Sequence, residues 1–167
     1  MTATSPNVLI VGAGPAGVRA AQTLVAAGLR PIVVDEGARA GGQIYRRPPD
    51  GFRRPARLLY GSEAAKATAL HRDFDEMAGD SRLTHLPRSS AVAFAAGRAL
   101  ILDESGHRWI AYDRLILATG ATDRVAPVPG WESAGVYTLG AMQIALKAQG
   151  VALGRRIVLA GSGPLLT

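Results

Sequence analysis

The sequence predicts an α/β fold built on a parallel sheet, with a three-stranded antiparallel β-meander set apart from it. Three observations predict this. A short apolar run at residues 8–11 leads into a glycine-rich turn and then into helix-forming residues. A second apolar run at 31–34 ends on an acid, Asp35, which lies eighteen residues after the last glycine of that turn. Between residues 90 and 112 the pattern shortens to three apolar runs separated by turn residues, as antiparallel strands with tight connections require.

Taken in order, Val8-Leu-Ile-Val11 reads as a buried strand and Gly12-Ala13-Gly14-Pro15-Ala16-Gly17 as the turn that follows it. The glycines let the backbone turn tightly and approach a pyrophosphate with no side chain intervening. Pro15 falls in the first helical turn, where a missing N–H costs little, and the helix N-terminus offers free donors and positive potential to phosphates. Helix formers run from Ala16 to about Ala27, Gly28 reads as the stop, and Pro31-Ile-Val-Val34 is the second strand. A carboxylate at that strand end accepts hydrogen bonds from ribose hydroxyls. Asp35 fits by spacing, and Glu36 replaces it if the strand shifts by one residue. Strand, turn, helix, strand and acid together make the entry of a Rossmann-like unit for an adenine dinucleotide, FAD or NAD(P).

Gly37-Ala-Arg-Ala-Gly41-Gly42-Gln43 is a glycine-rich loop at the mouth of that unit. Residues 63–78 read as a helix and Leu83 to Leu86 as a third parallel strand. The meander follows at Ala91–Ala95, Ala99–Leu102 and Trp109–Tyr112, with turns at Gly97-Arg98 and Glu104-Ser-Gly106-His107. Leu115 to Ala118 returns to the parallel sheet and ends in Thr119-Gly120-Ala121, and Pro127, Pro129 and Gly130 mark an exit. Residues 155–160 form another apolar strand running into Gly161-Ser-Gly163-Pro164, which repeats the strand and turn of 8–15, with Leu166 where a third glycine belongs. The expected division is a dinucleotide-binding domain over 1–126, containing the meander at 90–112. A connector and the start of a second, incomplete dinucleotide-binding domain follow over 127–167.

A chain of 167 residues with 48% hydrophobic content suits a globular α/β protein. It has no cysteine, which excludes a disulfide framework and a redox-active cysteine pair within these residues. No apolar run approaches the length of a membrane span, and no signal-peptide pattern follows the N-terminus, so a cytoplasmic location is expected. The net charge of +6 raises nucleic acid as a partner, but no aromatic platform or groove-reading helix accompanies it. The dense basic cluster Arg46, Arg47, Arg53, Arg54 and Arg57, broken by prolines, reads as a solvated loop or, alternatively, a docking patch for an acidic partner. His71, His85 and His107 lack metal-ligand spacing and are expected at the surface or in loops. Asp73, Asp75 and Glu76 beside Arg72 read as a solvated helix face. Tyr45 either faces the site or packs under the loop, and Trp109 and Trp131 read as core or interface anchors.

The order of these motifs resembles the FAD-dependent pyridine nucleotide-disulfide oxidoreductase superfamily. Gly41-Gly42-Gln43-Ile44-Tyr45-Arg46, residues 115–124, Pro129-Gly130-Trp131 and Gly161-Ser-Gly-Pro-Leu-Leu166 resemble one branch, that of the flavin subunits of opine oxidases, hydrogen cyanide synthase and dye-linked proline dehydrogenases. The resemblance implies that Gly12, Ala13, Gly14, Pro15, Ala16 and Gly17 hold the FAD pyrophosphate and that Asp35, or Glu36, binds the adenosine ribose. It places Gly42 and Gln43 along the ribityl chain and Thr119, Gly120 and Ala121 beside it. It implies oxidation of an amino acid, opine or related amine by hydride transfer to the flavin, with electrons leaving to a second flavin or iron–sulfur subunit. The isoalloxazine performs the redox step in such enzymes, so no catalytic side chain is named and no metal is expected. Family members run longer and complete the second dinucleotide domain, so NAD(P) is implied only in a longer form. The alternatives are a truncated, non-catalytic flavoprotein fragment that needs a partner chain, and a simple NAD(P)-binding protein.

Overall fold

The computed structural model describes residues 5–161 and has the expected α/β architecture. Four parallel strands form one sheet in the order β3-β2-β1-β7, where β1 is Val8–Val11, β2 Ile32–Val34, β3 Thr84–Leu86 and β7 Arg114–Leu117. The register pairs Leu9 with Ile32 on one side and with Leu115 on the other. A second sheet holds the antiparallel strands β4 (Ser90–Ala95), β5 (Arg98–Asp103) and β6 (Gly106–Ala111), with a bulge between Ala91 and Ala93.

These layers explain why residues 8–11 are continuously apolar. Side chains alternate across a strand, and here both faces are covered. Ile10 and Val33 pack against Val18 and Ala21 of helix α1 (Pro15–Ala26) and Leu70, Phe74 and Met77 of helix α3 (Ala64–Gly79). Leu9 and Val34 face the other way, onto Ala99 and Ile101 of the meander. Complete burial of side chains such as Leu9 and Ile10 contributes roughly 1.5–3 kcal/mol each. The buried positions of α3 (Ala67, Leu70, Phe74 and Met77) recur every three or four residues, which places them on one helical face.

Several expectations need correction. The proline- and arginine-rich stretch is not wholly a solvated loop. Pro55 opens a short helix α2 (Ala56–Tyr60), which runs through a 3₁₀ turn (Gly61–Glu63) into α3. The side chain of Arg47 is 13% exposed and grips Asp75 through two bonds of 2.7 and 2.9 Å, so neither residue is a free surface charge. His71 and His85 are not surface residues. His71 lies half-buried on α3, and His85 on β3 meets the Phe74 ring edge-on with centroids 4.9 Å apart. Of the two readings of Trp109 and Trp131, core or interface anchor, the core one fails, since both are more than 40% exposed and Trp109 lies under the Arg98 guanidinium on the meander.

Helix α4 (Leu139–Ala148) lies in the segment expected to be a connector. Thr138 caps it by accepting from the Ala141 amide at 3.1 Å, a polar residue ahead of an apolar run that marks a helix start. Residues 155–160 form no strand, since no backbone among the described residues pairs with them. Ser162 to Thr167, including most of the second glycine turn, lie outside the described residues. Among the described residues, no helix is long and apolar enough to cross a membrane.

Candidate functional site

The site is built where three chain segments meet at the C-terminal ends of β1, β2 and β7, the end at which parallel sheets bind ligands. The first segment is the turn from Gly12 to Gly17. Val18 N donates to Gly14 O at 2.9 Å and starts α1, whose N-cap, Gly14, has no side chain to occupy the first amides. Those donors therefore face the mouth of the turn. The helix reaches so close to the strand because Gly17 has no side chain. A Cβ there would lie 1.8 Å from the Gly12 carbonyl oxygen.

The second segment carries the acid. Asp35 follows β2, with its own amide bonded to Leu86 O at 3.0 Å. Its Oδ2 accepts from the Ala13 amide at 2.5 Å and its Oδ1 from the Gly37 amide at 2.6 Å, so the carboxylate ties the glycine turn to the loop after β2. An ionised carboxylate has about four acceptor sites, which leaves capacity for hydroxyl donors. Glu36 turns away and accepts from Ser90 Oγ at 3.2 Å, bracing the meander. The structure thus brings Asp35 to the turn and leaves Glu36 outside it.

The third segment is the Gly41–Tyr45 loop, laid across the turn. Gly41 N donates to Ala13 O at 2.9 Å. Gly42 adopts φ +61°, and a Cβ on it would lie 2.7 Å from the Gly14 Cα, so only glycine fits the loop against the turn here. Gln43 Nε2 donates to Ala121 O at 2.8 Å and spans to the chain leaving β7, which links the loop to Thr119, Gly120 and Ala121. Thr119–Ala121, Gln43 and Ala16 are exposed, whereas Ala13 and Gly17 are buried. These contacts tie the turn, Asp35, the Gly41–Tyr45 loop and Ala121 together, and Glu36 stands outside them.

Sequence reasoning missed what holds that loop from behind. Arg47 Nε donates to Ala40 O at 3.0 Å and Nη2 to His71 O at 3.1 Å, while Asp75 holds the same guanidinium. His71 Nε2 lies 2.7 Å from Tyr45 O and must donate to it, because a carbonyl only accepts. Burial is the main influence that lowers the His71 pKa below the ordinary histidine value, so its neutral form makes this bond at neutral pH. Tyr45 packs under the loop rather than facing the site, and its hydroxyl donates to Glu63 at 2.8 Å. That bond to Glu63 is the main influence raising the phenol above its ordinary value. Lys147 of α4 completes the support by donating to Ile44 O at 3.1 Å. None of these ties has a sequence motif. The only signals were an i, i+4 pair, His71 and Asp75, on one helix face, and an arginine dense enough to need partners.

This geometry has counterparts among known proteins. The model of the pyridine nucleotide-disulphide oxidoreductase family matches residues 6–165. An opine oxidase subunit of Rhizobium meliloti is 43% identical over 96% of this chain, and hydrogen cyanide synthase subunit HcnB of Pseudomonas protegens is 38% identical over 97% of it. These matches cover 31% and 34% of the two relatives, so the chain spans about a third of their length. The crystal structure of L-proline dehydrogenase from P. horikoshii superposes with a TM-score of 0.71 over 90% of this chain and 30% of that one, at 23% identity, which establishes a shared fold.

Proposed function

Because the chain belongs to the pyridine nucleotide-disulphide oxidoreductase family, we propose that it is the FAD-binding part of an oxidoreductase acting on an amino acid, opine or related amine. The observation that carries this reading is the close approach of Gly42 to Gly14 together with the bond from Gln43 to Ala121 O, which bring the turn, the second loop and the chain leaving β7 to one place. A single-domain NAD(P) protein needs the glycine turn and the acid but not this second loop, so the loop favours FAD over the simpler alternative.

The cradle suits an extended dinucleotide. The uncapped amides at Gly14, Ala16 and Gly17 take the pyrophosphate, which has negative charge where the helix offers donors. Pro15 supplies no donor and sets the first helical turn. Gly12 and Ala13 shape the turn, and Asp35 accepts from the adenosine ribose. Gly42, Gln43, Thr119, Gly120 and Ala121 line the path beyond the phosphates, where the ribityl chain lies. When bound, the flavin supplies the hydride-accepting chemistry, and the chain's own residues position it and exclude water.

Both relatives are subunits of larger enzymes, which supports a partner chain for this protein also. The exposed apolar residues Val125, Val128, Trp131, Val136 and Tyr137 favour such a partner or a further domain as the cover of residues 121–137. The domain division at 126/127, electron transfer to a second flavin or iron–sulfur subunit, NAD(P) binding in a longer form and a cytoplasmic setting belong to the same reading.

The decisive experiment adds FAD to the purified chain, desalts it and records the visible spectrum. Stoichiometric retained flavin is expected, with loss on Asp35→Ala or Gly42→Val. Thermal stabilisation by NAD with none by FAD overturns the reading. Anaerobic bleaching of the bound flavin by amino acids or opines then tests the substrate class.

A further inference from the structure

Beside the Gly41–Tyr45 loop, which Lys147 reaches through Ile44 O, α2, the loop before it and the end of α4 line an open cleft of about 220 Å³. Phe52, Leu58 and Leu146 give it apolar walls, and Arg54 and Lys147 give it charge. For comparison, an apolar cavity of roughly 150 Å³ admits benzene. Phe52 closes tightly over Gly150, where an added Cβ would lie 2.8 Å from Cε2 of the ring, and the Arg54 guanidinium lies over that ring, 5.8 Å from its centroid.

The charge in this cleft is unbalanced. Among the described residues, the lining cations Arg54 and Lys147 and the neighbouring Arg46 take part in no ion pair, and of these Arg46 and Lys147 are partly buried. Arg46 Nε is buried with no hydrogen-bond partner. Lys147 uses one N–H on Ile44 O, which leaves two donors. Burial, with the Arg46 charge second, pushes this ammonium below its ordinary value. A half-buried ammonium such as that of Lys147, without a counter-ion, is costly, and an anionic ligand offsets that cost.

We propose that this cleft is a binding site for a small organic anion, an oxyanion head held by Lys147 and Arg54 with an apolar body against Phe52 and Leu58. The head is a carboxylate or a phosphate monoester, two sources of the same chemistry. The site stands independently of the FAD reading, although Lys147 couples it to the loop through Ile44.

The test titrates the ¹⁵N-labelled 167-residue chain with benzoate, phenyl phosphate and inorganic phosphate and follows amide shifts. Saturable shifts centred on Phe52, Lys147 and Gly150 are expected, with benzoate or phenyl phosphate binding more tightly than inorganic phosphate because of the apolar walls. The tighter of the two aromatic probes identifies the head. Lys147→Met should weaken binding about tenfold, as loss of a partly buried charge partner does, and Arg54→Ala by a smaller, measurable factor, while Arg57→Ala changes nothing. Arg54 is exposed, so its variant keeps the test valid if Lys147→Met disturbs folding. No saturable shift with any probe, or equal weakening by Arg57→Ala, overturns the proposal. FAD retention measured in parallel separates its failure from that of the cofactor reading.

Discussion

Leu9 and Val158 each sit in a run of four apolar residues, yet Leu9 is fully buried and Val158 is 93% exposed. The difference lies in what surrounds each run. Strand β1 has a parallel neighbour on both edges, helices on one face and the meander on the other. Residues 157–160 have no pairing backbone among the described residues and no covering layer, so their apolar side chains gain nothing from being apolar. An apolar run is thus a request for neighbours. Most of the apolar side chains of residues 5–118 that lie on the parallel sheet and α3 meet that request internally, whereas most of 121–161 does not.

The strongest way to break this contrast is to remove a core side chain. Phe74 is 1% exposed and sits between α1, the sheet and His85. Phe74→Ala should cost about 3–5 kcal/mol, read as a fall in the denaturation midpoint. A loss near that of an exposed residue would mean that α3 does not seal the core as described.

Next in size is Gly17→Ala, which acts on the site rather than the core. Its Cβ would press on the Gly12 carbonyl oxygen, a backbone atom that cannot move without moving the turn. Overpacking of this kind costs about 1–3 kcal/mol. It should also reduce flavin retention more than Phe74→Ala does at matched stability, because it displaces the uncapped amides.

A smaller effect comes from the buried histidines. Burial is the main influence that depresses the pKa of both His71 and His85 in the folded chain. As pH falls, the unfolded chain binds protons first. The stability they contribute is therefore complete above the unfolded histidine pKa of about 6.5 and is lost as pH drops through the folded values. Denaturation midpoints measured from pH 8 to pH 5 should decline, and His71→Gln with His85→Leu should flatten that decline. His85→Leu also removes a buried Nε2 that has no partner. A decline unchanged in the double variant would place the pH sensitivity elsewhere.

The contrast also sorts what could be read from the residues alone. The sheet, α1 and the meander were legible because their apolar periods match elements that fold onto one another nearby. The contact between turn and second loop was legible where close approach demands glycine, as at Gly42, and the acid bonded to the turn was legible from its place at a strand end, as at Asp35. The supports of that loop were not, because Arg47 bonding to Ala40 O and His71 bonding to Tyr45 O are long-range ties to backbone carbonyls, which any sequence supplies. Spacing favoured Asp35 over Glu36, and the register of β2 with β3 removes the one-residue shift that would exchange them, with Asp35 bonded to the turn and Glu36 to Ser90. Helix α4 carried a readable signal in Thr138, obscured by the prolines and glycines before it. Residues 155–160 misled for the opposite reason: their pattern is that of a strand, and strand formation depends on a partner that the pattern does not contain.

The smallest predicted effect is the most direct test of that last point. Val158→Thr removes an apolar group that is already in solvent, so the denaturation midpoint should shift by less than about 0.5 kcal/mol. Amides of 156–160 should exchange with solvent far faster than those of β1, which open only with the whole fold. If a partner chain or further domain covers this run, its addition should slow exchange at 156–160 without altering β1, and Val158→Thr should then weaken the association rather than the fold. A midpoint loss in the isolated chain approaching that of Phe74→Ala would instead show that 157–160 already packs against something within these residues, and the contrast between the two runs would disappear.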